Sequence, residues 1–142
     1  MKFENRKRLT LYVYTDGGCR GNPGQGAIGI VFFDENKNKI AEYKECIGKC
    51  TNNQAEYQAL IKALELATAH CRKEILCFLD SELVFRQISG KYKIKKEELR
   101  RLSCLLKDLE KAFEKVVYNH VKRENQFIQY ADKLVNDALD GK

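Results

Sequence analysis

The pattern of apolar residues in this chain of 142 residues first switches from a strand period to a helical period near residue 51. Before that point, residues 9–16, 27–33 and 39–47 are rich in β-branched and aromatic residues, which is typical of strands. Only short connections separate them, so we expect three antiparallel strands. The connection over 17–26 holds five of the nine glycines and the only proline, and we expect a tight loop there.

After residue 51, helical and strand patterns alternate. Thr51 and Gln54 have the spacing of a capping box, which predicts a helix beginning at Thr51. The later predictions are a strand over 75–79, a helix over 81–88, a basic connector over 91–96, a leucine-rich helix, a strand over 115–121 and a helix over about 129–140. Strands separated by helices usually run parallel. The predicted fold is one α/β domain over 1–142, a mixed five-stranded sheet (three antiparallel, then parallel strands) flanked by helices.

The leucine-rich helix carries apolar residues at alternating spacings of three and four. They are Leu99, Leu102, Leu106, Leu109 and Phe113. This stripe fits either a coiled-coil seam or packing on the sheet. Because it spans barely two heptads, packing on the sheet is favoured.

Composition excludes several classes of protein. No apolar run approaches the roughly 18 residues of a membrane helix, and the N-terminus lacks the pattern of a signal peptide, so we expect a cytoplasmic protein. None of the six cysteines forms a CxxC pair, and the Cys46–Cys50 spacing has no second pair, which argues against structural zinc. We expect reduced thiols, with Cys77 buried inside the run ILCFL.

Four carboxylates lie where an apolar strand ends or a helix begins: Asp16, Glu56, Asp80 and Asp132. Three of them have ordinary structural explanations. Asp16 would open an Asp-Gly turn, Asp80 would cap the next helix, and Asp132 would face the positive dipole end of the last one. Glu56 is harder to explain, since it lies four residues before Leu60 on an otherwise apolar helix face. A carboxylate there is costly unless it is paired or metal-bound.

Together these carboxylates suggest a metal site. If strand ends and helix starts share one edge of the sheet, the four groups would repel one another. Hard divalent cations, Mg²⁺ or Mn²⁺ rather than zinc, would remove that cost. Two such ions about 3.5–4 Å apart can clamp the attacking water and the leaving oxygen of a phosphodiester. The net charge of +6 is compatible with a polyanionic substrate.

Four blocks of the sequence resemble, in the same order, those of the ribonuclease H type 1 family. They are YTDGGCRGNPGQGAIGIVF, TNNQAEYQALIKAL, LDSELVFRQISGKYKIKKEEL and HVKRE…ADKLVNDAL, which together span about residues 9–140. The similarity is greatest to the compact bacterial and archaeal branch, which lacks an extra basic helix. It implies an endonuclease that hydrolyses the RNA strand of RNA/DNA hybrids with two Mg²⁺ ions, or Mn²⁺ as a substitute, leaving 5′-phosphate and 3′-hydroxyl ends. It also implies a monomer without membrane association.

The same resemblance assigns site residues. Asp16, Glu56, Asp80 and Asp132 match the family's catalytic, metal-binding carboxylates. The matching substrate-binding residues are Gly17, Gly18, Cys19, Asn22, Asn52, Asn53, Lys49 and Thr51. Asparagine amides and glycine-exposed backbone can read a 2′-hydroxyl, which both donates and accepts hydrogen bonds. Lys49 and Thr51 match positions that hold a phosphate of the DNA strand. Helix capping is the structural role considered for Asn52 and Asn53, and the two roles can coexist.

Two departures from the family pattern concern the region before the last helix. Many members carry a histidine on the loop there, whereas His120 falls in the predicted last strand, and a structural role is favoured for it. Lys122, Arg123 and Glu124 are the alternatives for the function of that histidine. The stretch RENQFIQYAD is also about two residues longer than usual, which affects the placement of Asp132.

Two questions stay open at this level. The basic connector, with Lys91, Lys93, Lys95 and Lys96 around Tyr92, is either a solvated surface or a patch that follows a nucleic-acid backbone. The alternative functions are a module that binds hybrids or structured RNA without cutting, and an exonuclease or junction resolvase on the same fold. The presence of all four carboxylates disfavours the first, and the blocks RGNPG and TNNQAEY disfavour the second.

Overall fold

The computed structural model describes residues 8–142. Its elements follow the predicted order, as β1 Arg8–Arg20, β2 Gly24–Phe33, β3 Lys39–Cys50, α1 Asn52–Ala67, β4 Cys71–Leu79, α2 Glu82–Ile88, α3 Glu97–Glu110, β5 Lys115–His120 and α4 Gln126–Leu139. The strands form one sheet in the order β3-β2-β1-β4-β5. The first three are antiparallel, and β4 and β5 run parallel to β1. The predicted fold class is confirmed.

The loop expected over 17–26 is mostly wrong. Strand β1 continues through Arg20 and pairs with β2 along its whole end, so only residues 21–23 form the turn, with a cis Asn22–Pro23 peptide. Asp16 therefore lies inside a strand, opposite Gly29, and does not open an Asp-Gly turn. The glycines mislead because a strand can need them where another element approaches its backbone closely.

Helix α1 begins as the capping box predicts. The Thr51 hydroxyl accepts a hydrogen bond from the Gln54 backbone N–H (3.2 Å), and the Gln54 side chain accepts one from the Thr51 N–H (2.9 Å). The helix buries one long face against the sheet. This face includes Leu60, Leu64 and Glu56. The sequence thus correctly places Glu56 on a buried, otherwise apolar face.

The sheet is covered on both faces. Residues of α1, α2 and α3 join the larger apolar core on one face, whereas α4 packs on the other face over a smaller cluster that contains Tyr14, Val31 and Ile128. A side chain at Gly29 would lie 2.3 Å from the Ala131 carbonyl oxygen. The missing Cβ at Gly29 therefore lets α4 approach the centre of the sheet.

The leucine stripe joins the larger apolar core, as predicted. Leu99 and Leu106 are buried there against α1 and residues of the sheet, and Glu110 of α3 accepts a hydrogen bond from the Tyr118 hydroxyl of β5 (2.7 Å). Helix α3 also ends at Glu110, so Phe113 reaches the same core from the following turn.

All six cysteines are free, and burial raises the pKa of the Cys77 thiol to about 12. Within residues 8–142, no helix is long and apolar enough to cross a membrane.

Candidate metal and nucleic-acid site

An open cleft of about 720 Å³ lies where β1 and β4 approach the first turns of α1 and the middle of α4. All four predicted carboxylates line it: Asp16, Glu56, Asp80 and Asp132. It also contains backbone and side chains from the end of β1 and the beginning of α1. The elements that the sequence separates thus meet in one concave surface.

Three of these groups form a tight set, which we call the carboxylate cluster: Asp16, Glu56 and Asp80. One carboxylate oxygen of each lies within 4.8 Å of the others. Strand register explains two members, because β1 and β4 pair in parallel with Tyr14 beside Phe78, so the residues two positions further on are neighbours. Glu56 reaches them from the second turn of α1.

Burial and mutual repulsion dominate the electrostatics of the cluster. Asp16 and Glu56 are only 9% and 8% exposed. Burial, followed by the charge of Asp80 and the contact with Asp132, raises the pKa of Asp16 to about 8. Burial, followed by the charges of Asp16 and Asp80, raises the pKa of Glu56 well above its usual value. Without a cation, the protein therefore favours protonated carboxyls here.

The charges of the cluster are not balanced by the protein. Among residues 8–142, the one basic side chain within ion-pair distance is Arg123, whose Nε lies 3.4 Å from Asp80 Oδ2 and whose side chain is 87% exposed. Glu56 Oε1 is buried and has no hydrogen-bond partner. An unpartnered carboxylate oxygen among two further carboxylates is the donor set that Mg²⁺ or Mn²⁺ prefers. The residues present fit a hard divalent cation.

Gly17 makes this arrangement possible. A Cβ at this position would lie 2.2 Å from the Ala55 carbonyl oxygen, so only glycine allows β1 to touch the first turn of α1. The Gly17 backbone also partly offsets the rise in the pKa of Glu56. Gly17 therefore has a structural role beside any role in binding substrate.

Asp132 lies at the side of the carboxylate cluster. It is close enough to Asp16 to contribute to the raised pKa of that carboxyl. Helix α4 begins at Gln126 behind the cap Asn125, three residues earlier than predicted, so Asp132 is in the second turn. The macrodipole acts mainly within the first turn, so the helix-dipole explanation for Asp132 is wrong. The capping explanation for Asp80 is also wrong, because Ser81 caps α2.

The predicted substrate residues divide into two groups. Gly17, Gly18, Cys19, Asn52 and Asn53 line the cleft. Asn22 lies at its rim, and its Oδ1 accepts a hydrogen bond from the Asn52 N–H (3.1 Å). The Asn52 Oδ1 in turn accepts one from the Cys19 N–H (2.9 Å). Since Thr51 is the N-cap, the capping role considered for Asn52 and Asn53 is wrong.

Thr51 and Lys49 lie outside the cleft. The Thr51 hydroxyl is occupied in the capping box. Lys49 lines a neighbouring pocket of about 390 Å³, together with Gln54 and Arg101. This pocket adjoins the cleft through the first turn of α1, because Asn53 lines one and Gln54 the other.

The cleft includes residues that the sequence did not single out: Arg20, Ser81, Gln129 and Asn136. Of these, Asn136 had a detectable signal, since it follows Asp132 by one helical turn. His120 does not line the cleft. Its Nε2 lies 3.3 Å from the Asp80 carbonyl oxygen and its ring stacks on Phe85, which fits the structural role favoured for it.

Comparison with known proteins identifies relatives by sequence. A family described as "Reverse transcriptase-like" matches residues 14–138. A bifunctional protein of Mycobacterium tuberculosis is 38% identical over 133 residues, which are 93% of this chain and 36% of that protein. Ribonuclease HI of Halobacterium salinarum is 39% identical over 130 residues, which are 92% of this chain and 64% of that protein. The chain therefore spans about a third to two thirds of the length of these relatives.

Solved structures match over nearly their whole length. The crystal structure of RNase H1 from Halobacterium salinarum superposes with a TM-score of 0.88 at 38% identity, covering 94% of this chain and 99% of that one. LC11-RNase H1, solved in complex with an RNA/DNA hybrid, has a TM-score of 0.86 at 39% identity, covering 92% of this chain and 97% of that one.

Proposed function

The chain belongs to the ribonuclease H type 1 family, and from this we propose that it is an endonuclease that hydrolyses the RNA strand of RNA/DNA hybrids. The observation that carries the proposal is the carboxylate cluster, with its oxygens within 4.8 Å, in a cleft that also presents asparagine amides. The hybrid bound by LC11-RNase H1 supports the choice of substrate.

The cofactor belongs to this proposal. Asp16, Glu56 and Asp80, with Asp132 beside them, would hold two Mg²⁺ ions, and Mn²⁺ could replace them. When bound, these cations supply Lewis acidity for water attack on a phosphodiester, giving 5′-phosphate and 3′-hydroxyl ends.

The protein contributes orientation at this site. Gly17 lets β1 touch the helix turn that carries Glu56, and the parallel register of β1 and β4 places Asp16 beside Asp80. Burial excludes water from Asp16 and Glu56, which strengthens their interaction with any bound cation. The cluster is thus organised before substrate arrives.

The rim of the cleft suits recognition of RNA. The Oδ1 of Asn52 is engaged by Cys19, which fixes the orientation of the amide. Within residues 8–142, the Nδ2 of Asn52 has no hydrogen-bond partner, so we propose that it donates to a 2′-hydroxyl. We propose that Asn53, Asn22 and the backbone of Gly18 and Cys19 also contact 2′-hydroxyls, except for the Cys19 N–H, which is engaged by Asn52.

The DNA strand would lie on the neighbouring pocket. Lys49 has no ion-pair partner in the described part of the chain, and Arg101 lines the same pocket. We propose that Lys49 binds a phosphate there, with Thr51 holding the nearby turn of α1 in place. The first turn of α1 separates this pocket from the cleft. The RNA strand of a hybrid can therefore lie in the cleft while the DNA strand lies on the pocket.

The basic connector is an additional surface for the nucleic-acid backbone. Arg100 holds it through hydrogen bonds from Nε to the Ile94 carbonyl (2.8 Å) and from Nη2 to the Lys95 carbonyl (3.3 Å). The Arg86 guanidinium lies over the exposed Tyr92 ring. In the region that the structure describes, none of the four connector lysines has an ion-pair partner, so we propose that they follow phosphates.

A salt titration tests the role of the connector. Replacing both Lys93 and Lys95 by glutamine should reduce the slope of log affinity against log salt by about 0.9 for each phosphate that the variant no longer neutralises. Lys107→Gln on the exposed face of α3 is the matched control. An unchanged slope in the double variant would show that the connector is only a solvated surface.

A cleavage panel tests the function itself. Purified protein with Mg²⁺ should cut the RNA of a hybrid and spare a DNA duplex, and Asp16→Asn should abolish cutting. The control Asp108→Asn removes an exposed carboxylate far along α3 and should be as active as the wild type. Binding of hybrid without cutting would indicate a binding module, and cutting of single-stranded DNA would refute the substrate assignment.

The remaining parts of the proposal concern the whole chain. We propose one catalytic domain over residues 1–142 that acts as a cytoplasmic monomer without membrane association. Sedimentation of the purified protein at several concentrations tests the monomer, and a concentration-dependent increase in mass would contradict it.

A further inference from the structure

Beyond the carboxylate cluster, the cleft continues as two facing rows of polar side chains. On β1, Asp16 and Arg20 share one face because strand side chains alternate. On α4, Asp132, Asn136 and Asp140 follow one another at intervals of four residues and share one face of the helix. Four strand residues span roughly 13 Å and eight helical residues roughly 12 Å, so the two rows match in length.

The rows are joined at the outer end and along the helix. At the inner end, Asp16 and Asp132 line the same cleft, and Asp132 contributes to the raised pKa of Asp16. Arg20 Nη1 lies 2.6 Å from Asp140 Oδ1 at the outer end, and its Nη2 donates to Asn136 Oδ1 (3.4 Å). Asn136 Nδ2 donates to the carbonyl oxygen of Asp132 (3.1 Å) and to its Oδ2 (3.4 Å). We call these four residues the outer ladder: Arg20, Asp132, Asn136 and Asp140.

The outer ladder constrains the position of α4 along its axis, which apolar packing does only weakly. Helix α4 contacts the sheet through small and apolar residues such as Ala131 and Leu134, above Gly29. Apolar contact is non-directional, so it constrains the position of α4 along its own axis weakly. The two bonds of Arg20 to the outer turns of α4 fix that position, and Asn136 fixes the carboxylate of Asp132.

A purely stabilising role does not account for the ladder. The Arg20 and Asp140 side chains are 51% and 40% exposed, and ion pairs at such positions contribute little to stability. Asp132 also lies outside the tight set of three carboxylates, so its place depends on what holds α4. We propose that Asn136 and Arg20 are positioning residues that set Asp132 beside the carboxylate cluster for metal binding and RNA cleavage. This inference rests on the proposed function.

The first test removes the amide of Asn136. Asn136→Leu keeps the size of the side chain but cannot hold the Asp132 carboxylate. We expect kcat on a hybrid to fall about 10–100-fold while KM stays within about twofold, and the calorimetric affinity for Mn²⁺ without nucleic acid to weaken about 10-fold. Lys133→Leu, on the solvent face of the same helix, is the matched control and should behave as wild type.

The second test separates positioning from direct contact with RNA. Arg20→Ala should lower kcat less than Asn136→Leu does, and the double variant should be no worse than Asn136→Leu alone, because both changes act on Asp132. Arg20→Lys should recover part of the loss. An Arg20→Ala variant with raised KM and unchanged kcat would overturn the proposal, since it would show a phosphate-binding role instead.

The outcomes distinguish this inference from the function on which it rests. If the wild type cuts hybrids and binds Mn²⁺, and Asn136→Leu does both equally well, the positioning role is refuted and the proposed function stands. If the wild type fails to cut, the proposed function is refuted, and the Mn²⁺ titrations of wild type and Asn136→Leu still test the positioning. Thermal unfolding within a few degrees of the wild type shows that each variant is folded.

Discussion

The carboxylate cluster and the outer ladder are neighbours and both contain carboxylates, but they differ in charge balance. In the ladder, Arg20 lies against Asp140, and an amide holds Asp132. In the cluster, three carboxylates converge with one exposed guanidinium near them, and an oxygen of Glu56 has no partner. The cleft is therefore not uniformly acidic, because unbalanced negative charge is concentrated at its inner end.

This difference indicates which end carries the chemistry. Burying a carboxylate without a partner is costly, and the same fold shows at its outer end that it can supply partners. Perturbed carboxyls in a cleft are typical of functional sites. The carboxylate cluster at the inner end therefore fits a site that is completed by a cation. The outer ladder fits a role in positioning Asp132 beside that site.

The largest expected effect separates activity from stability at the inner end. Glu56→Gln should lower hybrid cleavage by about 10³-fold, corresponding to about 4 kcal/mol in the transition state, since a metal-binding oxygen is lost. The same change should raise the unfolding temperature of the metal-free protein at pH 8, because a neutral amide replaces a buried carboxylate. Cleavage rates and calorimetry measure the two effects.

Glu65→Gln on the exposed side of the same helix is the control for this variant. It should change neither cleavage nor unfolding temperature. If Glu56→Gln left cleavage intact, the carboxylate cluster would not be the site of catalysis.

The next largest effect concerns the close contact that builds the inner end. Gly17→Ala should destabilise the protein by about 3 kcal/mol, because its Cβ would lie 2.2 Å from the Ala55 carbonyl oxygen. Gly18→Ala is the matched control for stability, since the nearest atom to its Cβ would be 3.7 Å away. Urea denaturation measures both, and equal stability of the two variants would contradict the close contact.

The pH dependence of stability in the metal-free protein tests the charge repulsion within the carboxylate cluster. Folding raises the pKa of Asp16 from its ordinary value of 3.8 to about 8, so between these values the folded state binds more protons than the unfolded state. Stability should therefore fall as pH rises from about 4 to 8, by several kcal/mol relative to Asp16→Asn. Denaturation in a chelator at pH 5 and pH 8 measures this difference.

Added Mn²⁺ should remove that loss at pH 8, because a cation favours the ionised carboxylates. If the stability of the wild type and of Asp16→Asn depended on pH in the same way, charge repulsion within the cluster would not destabilise the fold.

The smallest expected effect belongs to the outer end. Arg20→Ala should change the free energy of unfolding by less than about 1 kcal/mol, because its ion pair is exposed. Urea denaturation at low and high salt checks this. A loss comparable to that of Gly17→Ala would mean that the ladder holds the fold together and does not merely position Asp132.

Signals that lie close together in the sequence predicted the structure well. The capping box of Thr51 and Gln54 predicted the start of α1, and helical periodicity placed Glu56 on a buried face. The alternation of strands and helices predicted the mixed sheet. Each of these depends on neighbouring residues in the chain, whose geometry the backbone fixes.

Features that depend on tertiary contact were missed or misread. The glycine beside Asp16 suggested a turn, but Gly17 is required because Ala55 touches β1 from another element. The contact of Arg20 with Asp140 joins residues 120 positions apart, and no local pattern shows that these two faces meet. The start of α4 was misplaced for a local reason, since the N-cap Asn125 with Phe127 and Ile128 behind it was not used.

The most direct test of the central claim is anomalous diffraction at the manganese edge from crystals soaked in Mn²⁺. We expect a strong peak between the carboxylates of Asp16, Glu56 and Asp80 in the wild type, and none there in Asp16→Asn crystals. Wild-type crystals without a peak at the cluster, under conditions where the same protein cuts hybrid RNA with Mn²⁺, would contradict the account.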